Sequence, residues 1–171
     1  DVTITEPVVI ANDVDIDLNG QTLTLSYGEG NSAWALTFNG DVTISNGNIV
    51  TDARYSIVVG NGADRVDGNF TDLNINGNRA NQNNGTIFLV GEADVTIGEG
   101  VEVESEGYSS IVEASTGTTA PSVVDIDGAT FAMKGSTQYG ALGAAYGGTI
   151  NFLSGTVTSN IHAAYAYPSG G

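Results

Sequence analysis

An internal repeat runs through this chain and governs its architecture. Six segments carry aliphatic residues on alternate positions, then a polar residue, then glycine. They are Val14-Asp-Ile-Asp-Leu-Asn-Gly20, Val42-Thr-Ile-Ser-Asn-Gly47, Leu73-Asn-Ile-Asn-Gly77, Val95-Thr-Ile-Gly-Glu-Gly100, Val124-Asp-Ile-Asp-Gly128 and Ile150-Asn-Phe-Leu-Ser-Gly155. Their closing glycines lie 27, 30, 23, 28 and 27 residues apart. A second series falls between them: Ala35-Leu-Thr-Phe38, Ser56-Ile-Val-Val59, Thr86-Ile-Phe-Leu89, Ser110-Ile-Val112 and Ala141-Leu142, with His162-Ala-Ala-Tyr165 as a degenerate last copy.

One coil of two or three short strands cannot bury its own apolar face, so the copies must stack. At about 4.8 Å per coil, each strand pairs with its counterparts above and below. Ile16, Ile44, Ile75, Ile97, Ile126 and either Phe152 or Leu153 are then expected to form one inward ladder. The residue before each glycine (Asn19, Asn46, Asn76, Glu99, Asp127 or Ser154) is expected to turn a corner. Asn, Asp and Gly tolerate the left-handed backbone such corners need. The fold class expected is all-β, a parallel β-helix of about six coils and roughly 30 Å long, in one domain over residues 1–171.

Composition agrees. Val, Ile, Thr, Tyr and Phe run between Asn, Gly, Asp and Ser, and no apolar stripe of helical period exists. The competing reading is an antiparallel sandwich. Val14-Asp-Ile-Asp-Leu-Asn-Gly-Gln-Thr-Leu-Thr-Leu25 has the alternation and the Asn-Gly of a hairpin. Hairpins, however, give no reason for a second series at the same period.

Twenty acidic residues face only Arg54, Arg65, Arg79 and Lys134, a formal net charge of −16. Such a surface repels phosphate backbones, so nucleic acid is not an expected partner. It suits solubility without self-association, salty surroundings or a basic partner. Without cysteine there are no disulfides and no thiolate metal sites. No run of about 18 apolar residues is present, so no membrane-spanning helix is expected, and no signal peptide is visible. Opening on Asp1 and closing on Ser169-Gly170-Gly171, the chain reads as part of something longer.

With these segments in view, the chain resembles the right-handed parallel β-helix, or pectin-lyase-like, superfamily. Thr3-Ile-Thr-Glu-Pro-Val-Val-Ile10, leading to Asp15-Ile-Asp-Leu-Asn-Gly-Gln-Thr-Leu-Thr24, looks like the first coil common there. That superfamily holds polysaccharide lyases and hydrolases, phage tailspikes and fibres, capsid appendages and bacterial adhesins, and fold does not choose among them. Its pectate-lyase-like members imply a basic catalytic residue beside acidic calcium ligands. The four basic residues here are isolated. The Asn-Thr-Asp, Asp-Asp and Gly-His-Gly motifs of polygalacturonase-like members are absent, and His162 stands in Asn160-Ile-His-Ala-Ala164. No catalytic residue carries over.

Paired carboxylates remain the obvious candidates for acid–base chemistry. Asp13, Asp15 and Asp17 alternate, as do Asp125 with Asp127 and Glu102, Glu104 with Glu106, which places each set on one strand face. A solvated outer face is the simpler reading, and neither a dedicated metal site nor a cofactor is expected. Trp34, Tyr27, Tyr55 and Tyr108 fall near corners. Tyr146 and Tyr165, stacked in successive coils with Tyr167 beside them, are the candidate carbohydrate- or partner-binding residues, unless they cover the open end of the core.

The expected function is non-enzymatic: a structural or attachment domain of a virion appendage (head or tail fibre, spike, capsid decoration) or of a cell-surface protein. Its expected place is the virion surface or the cell exterior. Expected partners are other virion or surface proteins, glycans and further copies of itself, as in a trimer, without membrane insertion. The alternatives are a polysaccharide-degrading β-helix whose site is completed by a neighbouring subunit, and a carbohydrate-binding module.

Overall fold

A computed structural model describes residues 1–28, 34–78, 86–107, 110–114, 121–135 and 140–166. No helix occurs among them. The strands are β1 (Val2–Ile4), β2 (Val8–Ile10), β3 (Val14–Asp17), β4 (Thr22–Leu25), β5 (Trp34–Phe38), β6 (Val42–Thr51), β7 (Tyr55–Val59) and β8 (Val66–Gly77). They continue with β9 (Thr86–Leu89), β10 (Ala93–Ile97), β11 (Glu102–Ser105), β12 (Val112–Ala114), β13 (Val123–Met133), β14 (Leu142–Ala144), β15 (Thr149–Ser159) and β16 (Ala164–Ala166). Every pairing among them is parallel.

The chain is a parallel β-solenoid of about five turns. Six copies of the glycine-closed segment bound five intervals, which reconciles this count with the six coils expected. The glycine-closed series, with β1 at its start, builds a nine-stranded sheet, and the second series, with β2 at its start, builds a seven-stranded sheet. β16 is the degenerate last copy. The two sheets alternate along the chain, so each coil contributes to both and their inner faces close on one core.

One rung of the expected ladder needs correction. Phe70, not Ile75, stands between Ile44 and Ile97. Ile75 belongs to a second inward ladder of the same sheet, Leu23–Ile49–Ile75–Val103–Phe131–Val157. The true third copy is Val66-Asp-Gly-Asn-Phe70, in which Gly68 replaces the usual aliphatic and Phe70 the usual Ile. Gly47 therefore pairs with Leu73, and the uneven intervals of 30 and 23 residues become 26 and 27. In the last coil Phe152 takes the ladder position opposite Ile126, while Leu153 falls in a bulge.

Corners follow from backbone chemistry. Asn19, Asn46 and Asp72 hold φ of 49°, 59° and 51°, the left-handed region that their short polar side chains tolerate. In the remaining coils Gly100, Gly128 and Gly155 take up positive φ near the same place. Ile44, Ile97 and Ile126 are fully buried, as expected, and Ile16 is only half-buried. Its strand, β3, pairs with β6 alone, so no coil covers it from the other side.

Candidate functional site on the outer face of the second sheet

The outward side chains of the first sheet are largely committed to holding coils together. Asp13 Oδ1 accepts the Asp41 N–H at 3.0 Å, and Asp41 Oδ1 accepts the Asp67 N–H at 2.9 Å. Asp17 Oδ1 accepts from the Asn19 N–H at 2.8 Å and from Asn46 Nδ2 at 3.1 Å. Asp125 accepts from Asn151 Nδ2 and Asp127 from the Ser154 hydroxyl, each at 2.7 Å. Arg65 bridges Asp67 and Asp94 at 2.9 Å each, and Lys134 pairs with Glu104. Of the carboxylates spaced as acid–base pairs, Asp13, Asp17, Glu104, Asp125 and Asp127 thus join neighbouring coils. A shallow cleft of about 300 Å³ runs among Asp13, Asp15, Asp41, Thr43, Asp67 and Asn69. Among the described residues no group of three or more His, Asp or Glu is placed to hold a metal ion.

The second sheet is different. Alternation along each strand turns one residue per coil away from the core, giving the column Val9–Thr37–Val58–Phe88–Glu113–Gly143–Tyr165, in which Thr37 and Val58 are nonetheless buried. Register puts Trp34 opposite Tyr55 at the start of β5 and β7. Their rings converge on Phe88: Tyr55 lies 4.6 Å from it, centroid to centroid, and Trp34 meets it edge-on at 5.9 Å. The Arg54 guanidinium carbon sits 4.7 Å from the Tyr55 ring centre, within cation–π range. Arg54 Nε is buried with no hydrogen-bond partner.

Glu113 sits one coil beyond Phe88 in this column. Burial raises its carboxyl above the ordinary range, and the Arg54 charge offsets only part of that. The Tyr55 hydroxyl is likewise pushed up, first by burial and then by the Glu113 charge, with Arg54 acting the other way. Three rings, one cation and one half-buried carboxylate therefore share this face. Flat apolar surfaces beside a few fixed polar groups suit a ligand that is itself apolar on one face and hydroxylated at its rim.

Trp34 and Tyr55 stood out in the sequence as aromatics near corners. Arg54, Phe88 and Glu113 did not. The available signal is the position held by Thr37, Val58, Phe88 and Glu113 in successive second-series strands, which changes character while its neighbours stay apolar. The C-terminal tyrosines lie elsewhere. Tyr165 is on β16 opposite Gly143, whereas Tyr146 follows β14 in a left-handed corner at φ 49°. They belong to different columns, and Tyr167 and Tyr108 lie outside the described residues. Tyr165 lines a cleft with Phe152, and Phe152 and Leu153 remain 45% and 65% exposed. Tyr27 is a fastening: its hydroxyl donates to the Glu6 carbonyl at 2.6 Å.

Fold and surface together define a parallel β-solenoid with a structurally committed acidic face and an aromatic face. Compared with protein-family models, curated proteins and solved structures, the chain matches none. The likeness to β-helix proteins is a likeness of fold.

Proposed function

We propose that this chain is a non-enzymatic structural and attachment domain of a virion appendage or a cell-surface protein, after the manner of the non-enzymatic pectin-lyase-like β-helices it resembles. The observation that carries this reading is the use of the outer carboxylates. Asp13, Asp17, Asp125 and Asp127 each accept a hydrogen bond from the next coil, so their chemistry goes into the rod. A rod built this way serves spacing and display. Its formal charge of −16 keeps it from nucleic acid and points to surface proteins, glycans or further copies as partners. The test is incubation with a panel of acidic and neutral polysaccharides, read for reducing ends and unsaturated products. No turnover is expected. Turnover abolished by a single change at Asp15, Asp17, Asp125 or Asp127 would replace this reading with the enzymatic one.

A glycan-binding reading of the attachment face is favoured by the Trp34, Tyr55 and Phe88 rings beside Arg54 and Glu113. Trp34, 39% exposed, is the ring most open to a ligand. Glycan-array binding lost in Trp34→Ala supports it, and binding unchanged in that variant contradicts it.

A further inference from the structure

A glycine after an asparagine lets the backbone attack the side chain that precedes it. With no Cβ in the way, the glycine nitrogen can reach the asparagine Cγ and close a succinimide ring. The chain holds six such pairs: Asn19-Gly20, Asn39-Gly40, Asn46-Gly47, Asn61-Gly62, Asn76-Gly77 and Asn84-Gly85. Asn84-Gly85 lies outside the described residues, and the fold does not treat the other five alike.

Attack needs a glycine N–H that no acceptor holds and a side chain free to bend back along the chain. Four pairs lack one or the other. The Gly20 N–H donates to the Asn46 carbonyl of the next coil at 2.8 Å. Gly47 lies inside β6, paired with Leu73, and Asn46 Nδ2 is held by Asp17. Gly77, buried at the end of β8, pairs with both Thr51 and Ser105. Asn39 Oδ1 is buried, and the Gly40 backbone is pressed against the first coil, where an added Cβ would lie 2.5 Å from the Asn12 carbonyl carbon.

Asn61-Gly62 meets both needs. It sits in the loop 60–65 between β7 and β8, where Asn61 is exposed and the Gly62 N–H makes no hydrogen bond among the described residues. Gly62 is itself dictated by the loop, since it holds φ at 81°. Asn61 Oδ1 folds back, accepting from the Ala63 N–H at 2.7 Å and the Asp64 N–H at 3.1 Å. The first of these bonds closes a ring that contains both Asn61 Cγ and the Gly62 nitrogen, which keeps the reacting atoms together. Both bonds end on the oxygen that gains negative charge when Cγ is attacked, and so stabilise that intermediate.

We propose that Asn61 is a self-modification site, at which the backbone cyclises and reopens as aspartate or isoaspartate. The Gly62 nitrogen loses its proton to a solvent base and bonds to Asn61 Cγ. The Cγ–Nδ2 bond breaks, Nδ2 takes up a proton and leaves as ammonia, and a succinimide remains. Water then opens the ring: attack at Cγ gives aspartate, and attack at the main-chain carbonyl gives isoaspartate. Isoaspartate lengthens the main chain by a methylene where two coils touch, since a Cβ on Gly91 would lie 2.5 Å from Gly62 Cα. It also moves the acceptor that orders Ala63 and Asp64, just before Arg65 and its bridge to Asp67 and Asp94. The contact between these coils therefore changes as the protein ages, whatever the rod attaches to.

Ageing the folded protein in mildly alkaline buffer tests this, beside a sample aged in guanidinium chloride. Peptide mapping by mass spectrometry reads the exchange of amide for acid at each asparagine, and isoaspartate methyltransferase identifies the isomer. In the folded sample, conversion at Asn61 is expected to be at least about tenfold faster than at Asn19, Asn39, Asn46 or Asn76, whose reaction waits for local opening. In the denatured sample that lead should vanish. A smaller lead in the folded protein, a lead that persists in the denatured one, or an Asn61 unchanged on folding while its denatured counterpart reacts overturns the proposal.

Discussion

Gly68 and Phe70 share one inward strand face, the smallest residue standing where neighbouring coils place Val42 and Val95, and the largest where they place Ile44 and Ile97. A Cβ on Gly68 would come within 2.9 Å of Val95 Cγ2, so that rung has no room for a side chain there. Phe70, two residues on along the same face, is fully buried.

This exchange of volume is measurable. Gly68→Val alone should cost about 1–3 kcal/mol through overpacking, and Phe70→Ala about 3–5 kcal/mol through the void it leaves. The double variant Gly68→Val/Phe70→Ile restores the pattern of the neighbouring coils. It should lose less stability than its two single changes summed, by at least about 0.5 kcal/mol. Strict additivity in urea unfolding would mean that the two positions do not share one packing space.

Ile97 and Glu104 sit on opposite faces of the first sheet. Ile97, with no exposure, lies between Phe70 and Ile126. Ile97→Ala should cost about 2–5 kcal/mol. Glu104 pairs with Lys134 on the solvent side, where both side chains are well exposed, and Glu104→Gln should change stability by under about 0.5 kcal/mol. Comparable losses at both sites would mean that the faces are reversed.

The acidic ladders should contribute measurably to cohesion. Asp17 accepts from two donors, one of them on the next coil, and Asp17→Ala should cost about 0.5–1.5 kcal/mol. No change in the urea midpoint would mean that these carboxylates are merely solvated.

Glu113 gives a pH signature. Its folded-state affinity for a proton exceeds its unfolded one, because burial penalises the carboxylate more than Arg54 rewards it. Its favourable contribution is therefore complete below the ordinary value of 4.5 and is lost as pH rises through the raised folded value. Stability of the wild type relative to Glu113→Gln should fall over the pH window that opens at the ordinary value of 4.5 and extends upward through the raised folded value, as read in urea titrations. A difference that rises over that window would mean that Arg54 dominates.

How far the sequence reveals this molecule depends on which side of each strand is considered. Inward positions repeat because stacked coils must fill one core, so Ile44, Ile97, Ile126 and the second series give the architecture directly. The third coil escapes that pattern because Gly68 and Phe70 satisfy the core by their combined volume rather than position by position. Outward positions carry no such constraint. Phe88 and Glu113 occupy equivalent sites in adjacent coils yet share no chemistry, and only the pairing register brings them beside Arg54, Tyr55 and Trp34. The glycine ending at Gly77 also imitates a coil corner, although the corner itself is turned earlier, at Asp72.

In-register parallel stacking is the claim on which the core, the acidic ladders and the aromatic face all depend. Nuclear Overhauser contacts in a methyl- and ring-labelled sample distinguish it from antiparallel pairing. The expected result is contact between the Ile16 and Ile44 methyls, between Ile97 and Ile126, and from the Phe70 ring to both Ile44 and Ile97. Strong Hα–Hα contacts between residues on either side of Asn19-Gly20, as in an antiparallel hairpin, together with no contact between Ile44 and Phe70, would contradict it.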